Sequence, residues 1–237
     1  MNRKLLPVLI GAAMLASGFP QGASAVPVTG IKITEWMYNS NAASTTTGGE
    51  FVELTNFGSS PINMSGWSFD DNSRAPGSES LSAFGTIGVG QSVILTEMSA
   101  ANFRSVWGLA SSVKIVGGIT NNLGRSDEIN IYDASNALVD QLTYNDQGSG
   151  TVKGPRTSGA SAVPQSLAYV GANDASHWVL SSVGDVNGSW KTAAGDIGNP
   201  GYSSLAPVPE PGTYAMLLAG LGLVGFAARR RQSKTPV

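Results

Sequence analysis

The sequence predicts an all-β protein, an antiparallel β-sandwich with an apolar segment at each end of the chain. Three observations carry that prediction. Between residues 31 and 144 the apolar residues fall into runs of six to eight, rich in β-branched and aromatic side chains or alternating with polar ones. Gly, Asn, Asp, Ser and Pro fill the gaps between runs. Only Ser99 to Leu109 has room for a helical turn or two, with Ser99 placed to cap it.

Taken in order, the chain opens on Asn2-Arg3-Lys4, continues through an apolar run from Leu5 to Ala16, and closes this segment with Ala23-Ser24-Ala25. A positive start, a short apolar centre and an A-x-A ending describe a secretory signal peptide over residues 1–25, with Ala23 and Ala25 as the small residues of the cleavage site. The apolar part is shorter than the ~20 residues of a membrane span. A buried N-terminal helix is the competing reading. The expected mature chain begins at Val26 and leaves the cytoplasm through the export machinery.

The strand candidates follow: Ile31–Tyr38, Glu50–Asn56, Gly66–Asp71, Gln91–Glu97, Ser112–Gly117, Asp127–Asp133 and Leu138–Tyr144. Asp133 to Ala137 is a hairpin turn, because Asp and Asn tolerate the backbone angles it needs. Gly66 before Trp67 suits a bend at a strand entry. Trp36, Trp67, Phe51 and Phe69 read as core or half-core aromatics rather than a ligand platform. About seven strands with frequent turns make a sandwich.

Near the other end the chain reads Val208-Pro209-Glu210-Pro211-Gly212-Thr213, and then stays uncharged and mostly apolar through Ala228. Residues 213–228 as a helix would reach about 24 Å, short of the roughly 30 Å hydrocarbon core. Arg229, Arg230 and Arg231 follow at once and by the positive-inside rule stay in the cytoplasm. Their stems can snorkel to cover the mismatch. Composition alone leaves a plain tail anchor or a core helix open. The order of parts over 208–232 resembles the PEP-CTERM sorting signal. That resemblance implies recognition of Pro209, Glu210, Pro211 and the arginine cluster by an exosortase, a transpeptidase-like membrane enzyme, with transient insertion and removal of the tail. It also implies a Gram-negative source that makes exopolysaccharide, export across the inner membrane, and a final place at the cell surface or in the extracellular matrix.

The middle of the chain carries its own resemblance. "GEFVELTNFGSSPINMSGWSFDD" (49–71), "NNLGRSDEINIYDASNALVDQLTYND" (121–146) and "IKITEWMYNS" (31–40) are similar to the lamin-tail domain. The resemblance implies an immunoglobulin-like β-sandwich over 31–201, with a polar Gly/Ser-rich insertion near 148–164 that departs from the family and whose strand pairing the sequence does not settle. Residues 202–207 then serve as a linker.

Charge and composition narrow the function. Of 14 Lys and Arg in the 237 residues, two lie in the signal and four after the apolar tail; of 16 Asp and Glu one is Glu210. The middle therefore holds eight basic and fifteen acidic residues, a sign that opposes nucleic acid as a partner. There is no Cys, so the exported fold rests on its core and not on disulfides.

Reactive chemistry finds few candidates. Glu35, Glu50 and Glu53 on neighbouring strands raise an acid/base pair or a cation site, against the expectation that strand Glu residues are solvated or paired with Lys and Arg. Asp70-Asp71-Asn72 and Asp185-Val186-Asn187-Gly188 are only fragments of calcium-loop character, lacking the ligand spacing. The sole His, His177, cannot by itself build a zinc site without Cys and reads as packed or surface. There is no G-x-S-x-G and no phosphate loop. No catalytic residue, metal or cofactor is expected. The reading is an exported, non-catalytic sandwich, structural or binding, whose partner is exopolysaccharide or a surface protein. A nucleic-acid-associated accessory module and a small carboxylate-dependent hydrolase are the alternatives.

Overall fold

The alternation in the sequence becomes two facing sheets. The computed structural model describes residues 28–42, 49–208 and 221. Ala23, Ala25, Pro209, Glu210, Pro211 and Arg229 to Arg231 lie outside them, as does segment 213–228 apart from Leu221. No helix among the described residues is long and apolar enough to cross a membrane.

The first half of the chain supplies β1 (Ile31–Met37), β2 (Phe51–Asn56), β3 (Ile62–Asn63), β4 (Ser68–Asp70), β5 (Glu79–Ser80), β6 (Thr86–Ile87) and β7 (Ser92–Thr96). Helix α1 (Ala100–Trp107) leads to β8 (Lys114–Gly117), β9 (Ser126–Tyr132) and β10 (Leu138–Asn145). The last part adds β11 (Ala162–Pro164), β12 (Trp178–Leu180), β13 (Trp190–Lys191) and β14 (Ile197–Gly198). One sheet has six strands in the order β12-β11-β1-β2-β7-β8, and the facing one has four in the order β10-β9-β4-β5. β13 pairs with β14 and β3 with β6 as short ribbons.

Side chains from both sheets meet in one core. Ile31, Ile33, Trp36, Val52, Leu54, Val93 and Leu95 come from the six-stranded sheet; Phe69, Ile129, Ile131, Leu142 and Tyr144 come from the four-stranded one. Trp36 lies on Tyr144 with ring centroids 3.8 Å apart. Trp67 is only half-buried and packs on the edge of this core. Gly66 takes φ +78° at the bend before it.

A second apolar cluster lies on the other face of the six-stranded sheet. Met37, Phe51, Ile94 and Met98 meet Phe103 and Trp107 of α1 there. Ser99 caps α1 by accepting from the Asn102 amide, and Gly108 closes it in the left-handed conformation. The pairing of β7 with β8 is parallel, where the sequence suggested antiparallel pairing throughout. The physical reason is the crossover: parallel neighbours need a connection of a dozen residues or more, and α1 with its flanks provides it.

The Gly/Ser-rich region gives a further strand, since Ala162–Pro164 pairs with both β1 and β12. The turn at Asp133 forms as its composition suggests. Asp133 accepts from the amides of Ser135 and Ala137, and Asn136 takes φ +64°.

Candidate functional site

The three strand glutamates are where sequence and structure part. Glu35 and Glu53 are 0 % exposed and Glu50 3 %, and no Lys or Arg among the described residues pairs with any of them. The expectation that they are solvated or ion-paired is therefore wrong. Two coverings cause this: the segment 196–203 lies over Glu35 and Glu53 on the outer face of the six-stranded sheet, while Glu50 turns the other way and is closed in beside Leu123.

Local irregularity sets the geometry. β1 pairs Ile33 with Leu54 but Glu35 with Glu53, so one extra residue, Thr34, is bulged out. Ile33 and Trp36 keep to the core while Thr34 and Glu35 share the outer face with Glu53. Thr34 Oγ1 donates to Glu53 Oε1 at 2.6 Å. Gly201 N donates to Glu53 Oε2 at 2.7 Å, and Asn199 N to Glu35 Oε1 at 2.8 Å. Ser161 Oγ donates to Glu35 Oε1 as well, while Glu35 Oε2 is buried with no partner.

Two glycines make this fit. A Cβ on Gly198 would stand 2.7 Å from Glu35 Oε1 and 2.7 Å from Ser161 Oγ, closer than real Cβ contacts come. Gly201 takes φ +98° to turn its amide onto Glu53. Asp196 completes the fastening from the opposite direction, accepting from Ser40 Oγ at 2.6 Å and from Asn41 N at 2.7 Å. Residues 196–201 thus form a strap laid over the sheet and held by three carboxyl groups.

Burial, and then each other's charge, push Glu35 well above the ordinary carboxylate range. Burial pushes Glu53 up to about 7, against the hydrogen bonds from Thr34 and Gly201. Glu50 is separate from this pair. Its Oε2 accepts from Leu123 N at 2.8 Å, its Oε1 has no partner, and burial pushes it up to about 9. Such protonated acids have the proton inventory of a general acid, but a substrate has no route to side chains that are 0 % exposed. The arrangement fastens the chain.

The remaining sequence candidates resolve into local structure. Asp70 spends its oxygens on Ser73 Oγ (2.8 Å), Ala75 N (2.6 Å) and Asn121 Nδ2 (2.7 Å). Asp185 accepts from the amides of Asn187 and Ser189, both at 3.0 Å. No group of three metal-ligating side chains occurs among the described residues. His177 is half-exposed and stacks on Tyr169 with centroids 4.1 Å apart. Asp174 and Ser176 sit beside it, but both approach Nδ1, at 2.6 and 3.2 Å, so no serine is positioned for relay through the other nitrogen.

Sequence reasoning did not find Ser161, Asp196, Gly198 or Asn199. No local pattern marks them, since their partners lie 126 to 164 residues away.

A family model of the PEP-CTERM protein-sorting motif matches residues 207–231, immediately beyond the strap, and indicates exosortase sorting and a cell-envelope or surface location. No curated protein and no solved structure matches this chain. Strands β1 to β10, with the Gly-Trp strand entry and the β9–β10 hairpin, lie within a match to the Lamin Tail Domain model over residues 25–146, just over half of the chain, and this protein belongs to the lamin tail domain family.

Proposed function

We propose that this protein is an exported, non-catalytic β-sandwich delivered by an exosortase to the cell surface or extracellular matrix, where it acts as a structural or binding module. The observation that carries the reading is the sorting motif at 207–231 following a lamin tail domain. On this route the N-terminal signal directs export and is cut after Ala25. The apolar tail then inserts with Arg229 to Arg231 in the cytoplasm, and the enzyme reads Pro209-Glu210-Pro211 at the outer membrane face. Exopolysaccharide or another surface protein is the partner of the delivered sandwich.

The non-catalytic part of the reading draws support from the site geometry. The acids with strongly raised proton affinity, Glu35, Glu50 and Glu53, are enclosed, and the single histidine lacks a nucleophile in relay. The acidic middle of the chain weighs against a nucleic-acid partner.

Cell fractionation tests the route. Glu210→Ala is expected to leave export and insertion intact and to trap full-length protein in the membrane fraction, because a plain anchor makes no demand on residues outside the bilayer. Deleting the host exosortase should do the same. Wild-type protein that retains its arginine-rich end at steady state, with Glu210→Ala indistinguishable from it, refutes the sorting reading.

A further inference from the structure

The outer face of the four-stranded sheet differs from that of its partner: among the described residues no helix lies over it, and the loop from Asp71 to Arg74 closes over only part of it, burying Asn130. Along β9 and β10 the alternation turns Ile129, Ile131, Leu142 and Tyr144 into the core and leaves Glu128, Asn130, Gln141, Thr143 and Asn145 outside. A groove of about 590 Å³ runs over this face, bounded by Arg74 on one side, Lys153 on another and Asn173 to Ser176 on a third. A second lobe of about 350 Å³ adjoins it, with Glu128, Thr143, Thr151 and Val152 lining both.

The polar side chains in the groove are held in place before any ligand arrives. Arg74 grips Glu128 through two bonds, Nε to Oε2 at 2.6 Å and Nη2 to Oε1 at 2.5 Å. Gln141 Nε2 donates to Asn130 Oδ1 at 2.8 Å, and Asn173 Nδ2 donates to Gln141 Oε1 at 3.0 Å. Asn173 Oδ1 in turn accepts from the amide of Thr143 at 2.6 Å.

Backbone conformation points to the same place. Three non-glycine residues among those described have positive φ, and one, Asn136, is explained by its hairpin turn. The other two, Arg74 at +54° and Asn173 at +49°, both line this groove. Left-handed backbone at a side-chain-bearing residue carries a cost and concentrates where a side chain must be aimed.

The lining chooses the ligand class. Arg74 and Lys153 are offset by Glu128 and Asp174 in the larger lobe, and Asp127 adds a further negative group in the smaller one. Such a lining offers no net positive field to a polyanion. Apolar surface is confined to Val152, Ala175 and Tyr144. What remains is a dense set of fixed groups, some donating and some accepting, which suits a ligand whose every group can do both. Sugar hydroxyls have that property, and neighbouring pairs of them match amide, carboxylate and guanidinium edges two bonds at a time. We propose that this two-lobed groove on the β9–β10 face binds a neutral oligosaccharide. The proposal rests on the reading of the sandwich as a surface binding module and gives that module its site.

Calorimetric titration of the full chain purified from its producing cells tests it, with cello-, laminari-, malto- and manno-oligosaccharides as probes and a heparin oligosaccharide and a thymidine oligonucleotide as charged comparators. At least one neutral oligosaccharide is expected to bind with a Kd below about 1 mM. Gln141→Ala, Lys153→Ala and Asn173→Gly (which keeps the left-handed backbone) should each weaken it about tenfold or more. Lys153 is exposed and bonds only the nearby Gly150 carbonyl, so its replacement leaves folding intact and keeps the test decisive if the other variants misfold. Absence of binding to all four neutral probes overturns the proposal, as does binding that Lys153→Ala leaves unchanged, or tighter binding of heparin or the oligonucleotide. The readout does not depend on processing of the tail, because Glu210→Ala protein should bind the same sugar. Failure of the sorting reading is thereby separable from failure of this one.

Discussion

The buried carboxyl pair makes a sharp prediction about pH. Glu53 has an ordinary value of 4.5 and is pushed up to about 7 in the folded protein, first by burial. Below pH 4.5 the folded and unfolded chains both hold the proton, and this group makes stability independent of pH. Between 4.5 and about 7 the folded protein keeps the proton and the unfolded chain has lost it, so unfolding releases a proton and stability falls as pH rises. At 1.36 kcal/mol per pH unit, a window of about two and a half units amounts to about 3 kcal/mol. Glu35 acts in the same direction, its window extending upward because Glu53 opposes its ionisation after burial has already done so.

Glu53→Gln is the informative change. The amide copies the neutral acid: its oxygen can accept from Gly201 N while its NH₂ group donates to the Thr34 and Thr55 hydroxyls, which lie 2.8 Å from each other and can reorient. Unfolding by urea, followed by tryptophan fluorescence from about pH 4 to pH 8.5, should show variant and wild type nearly equal at the acid end, the variant gaining by about 3 kcal/mol at the alkaline end. Glu50 and groups remote from the pair are common to both proteins and cancel in the difference, whereas Glu35 loses the opposing charge of Glu53 in the variant, which adds to the variant's gain at the alkaline end. A difference that stays constant within about 0.5 kcal/mol across the range refutes the reasoning. Glu53 would then be ionised in the folded state or reached by water.

Two further predictions concern stability and processing. Trp67→Ala should cost only about 1–2 kcal/mol in the same unfolding assay, because the ring is half-buried, whereas Trp36→Ala should cost about 3–5 kcal/mol; equal losses would mean that Trp67 is a full core residue. N-terminal sequencing or intact mass of the exported protein should find Val26 first, and retention of Met1 would remove the signal-peptide assignment.

What the sequence discloses and what it hides follow the range of the interactions. Ile129 and Ile131 announce an inward face by alternation alone, and Ser99 announces a helix start because its hydroxyl needs only the amide of Asn102, three residues on. The parallel pairing of β8 is hidden, since nothing in Lys114–Gly117 distinguishes a parallel edge strand from an antiparallel one. Glu35 reads as an outward strand residue because the strap that buries it comes from Asn199, 164 residues later. Arg74 and Glu128 likewise meet across 54 residues, and neither carries a local sign that the groove exists. Patterning reports which way a side chain points; it does not report what lies over it.

The strap also bears on how the sorting tail is presented. Its last fastening among the described residues joins Ser204 Oγ to Asn187 Oδ1, only five residues before Pro209. An extended chain spans at most about 3.6 Å per residue, so seven residues from Ser204 to Pro211 can reach no more than about 25 Å from this fastening. On the proposed route, a membrane enzyme reading that motif therefore works close to the folded domain. Releasing the carboxyl contacts of Asp196, Glu35 and Glu53 alone would not lengthen this tether, because β14 stays paired with β13 and Ser204 with Asn187. The short tether after Ser204 therefore sets the distance between cargo and address.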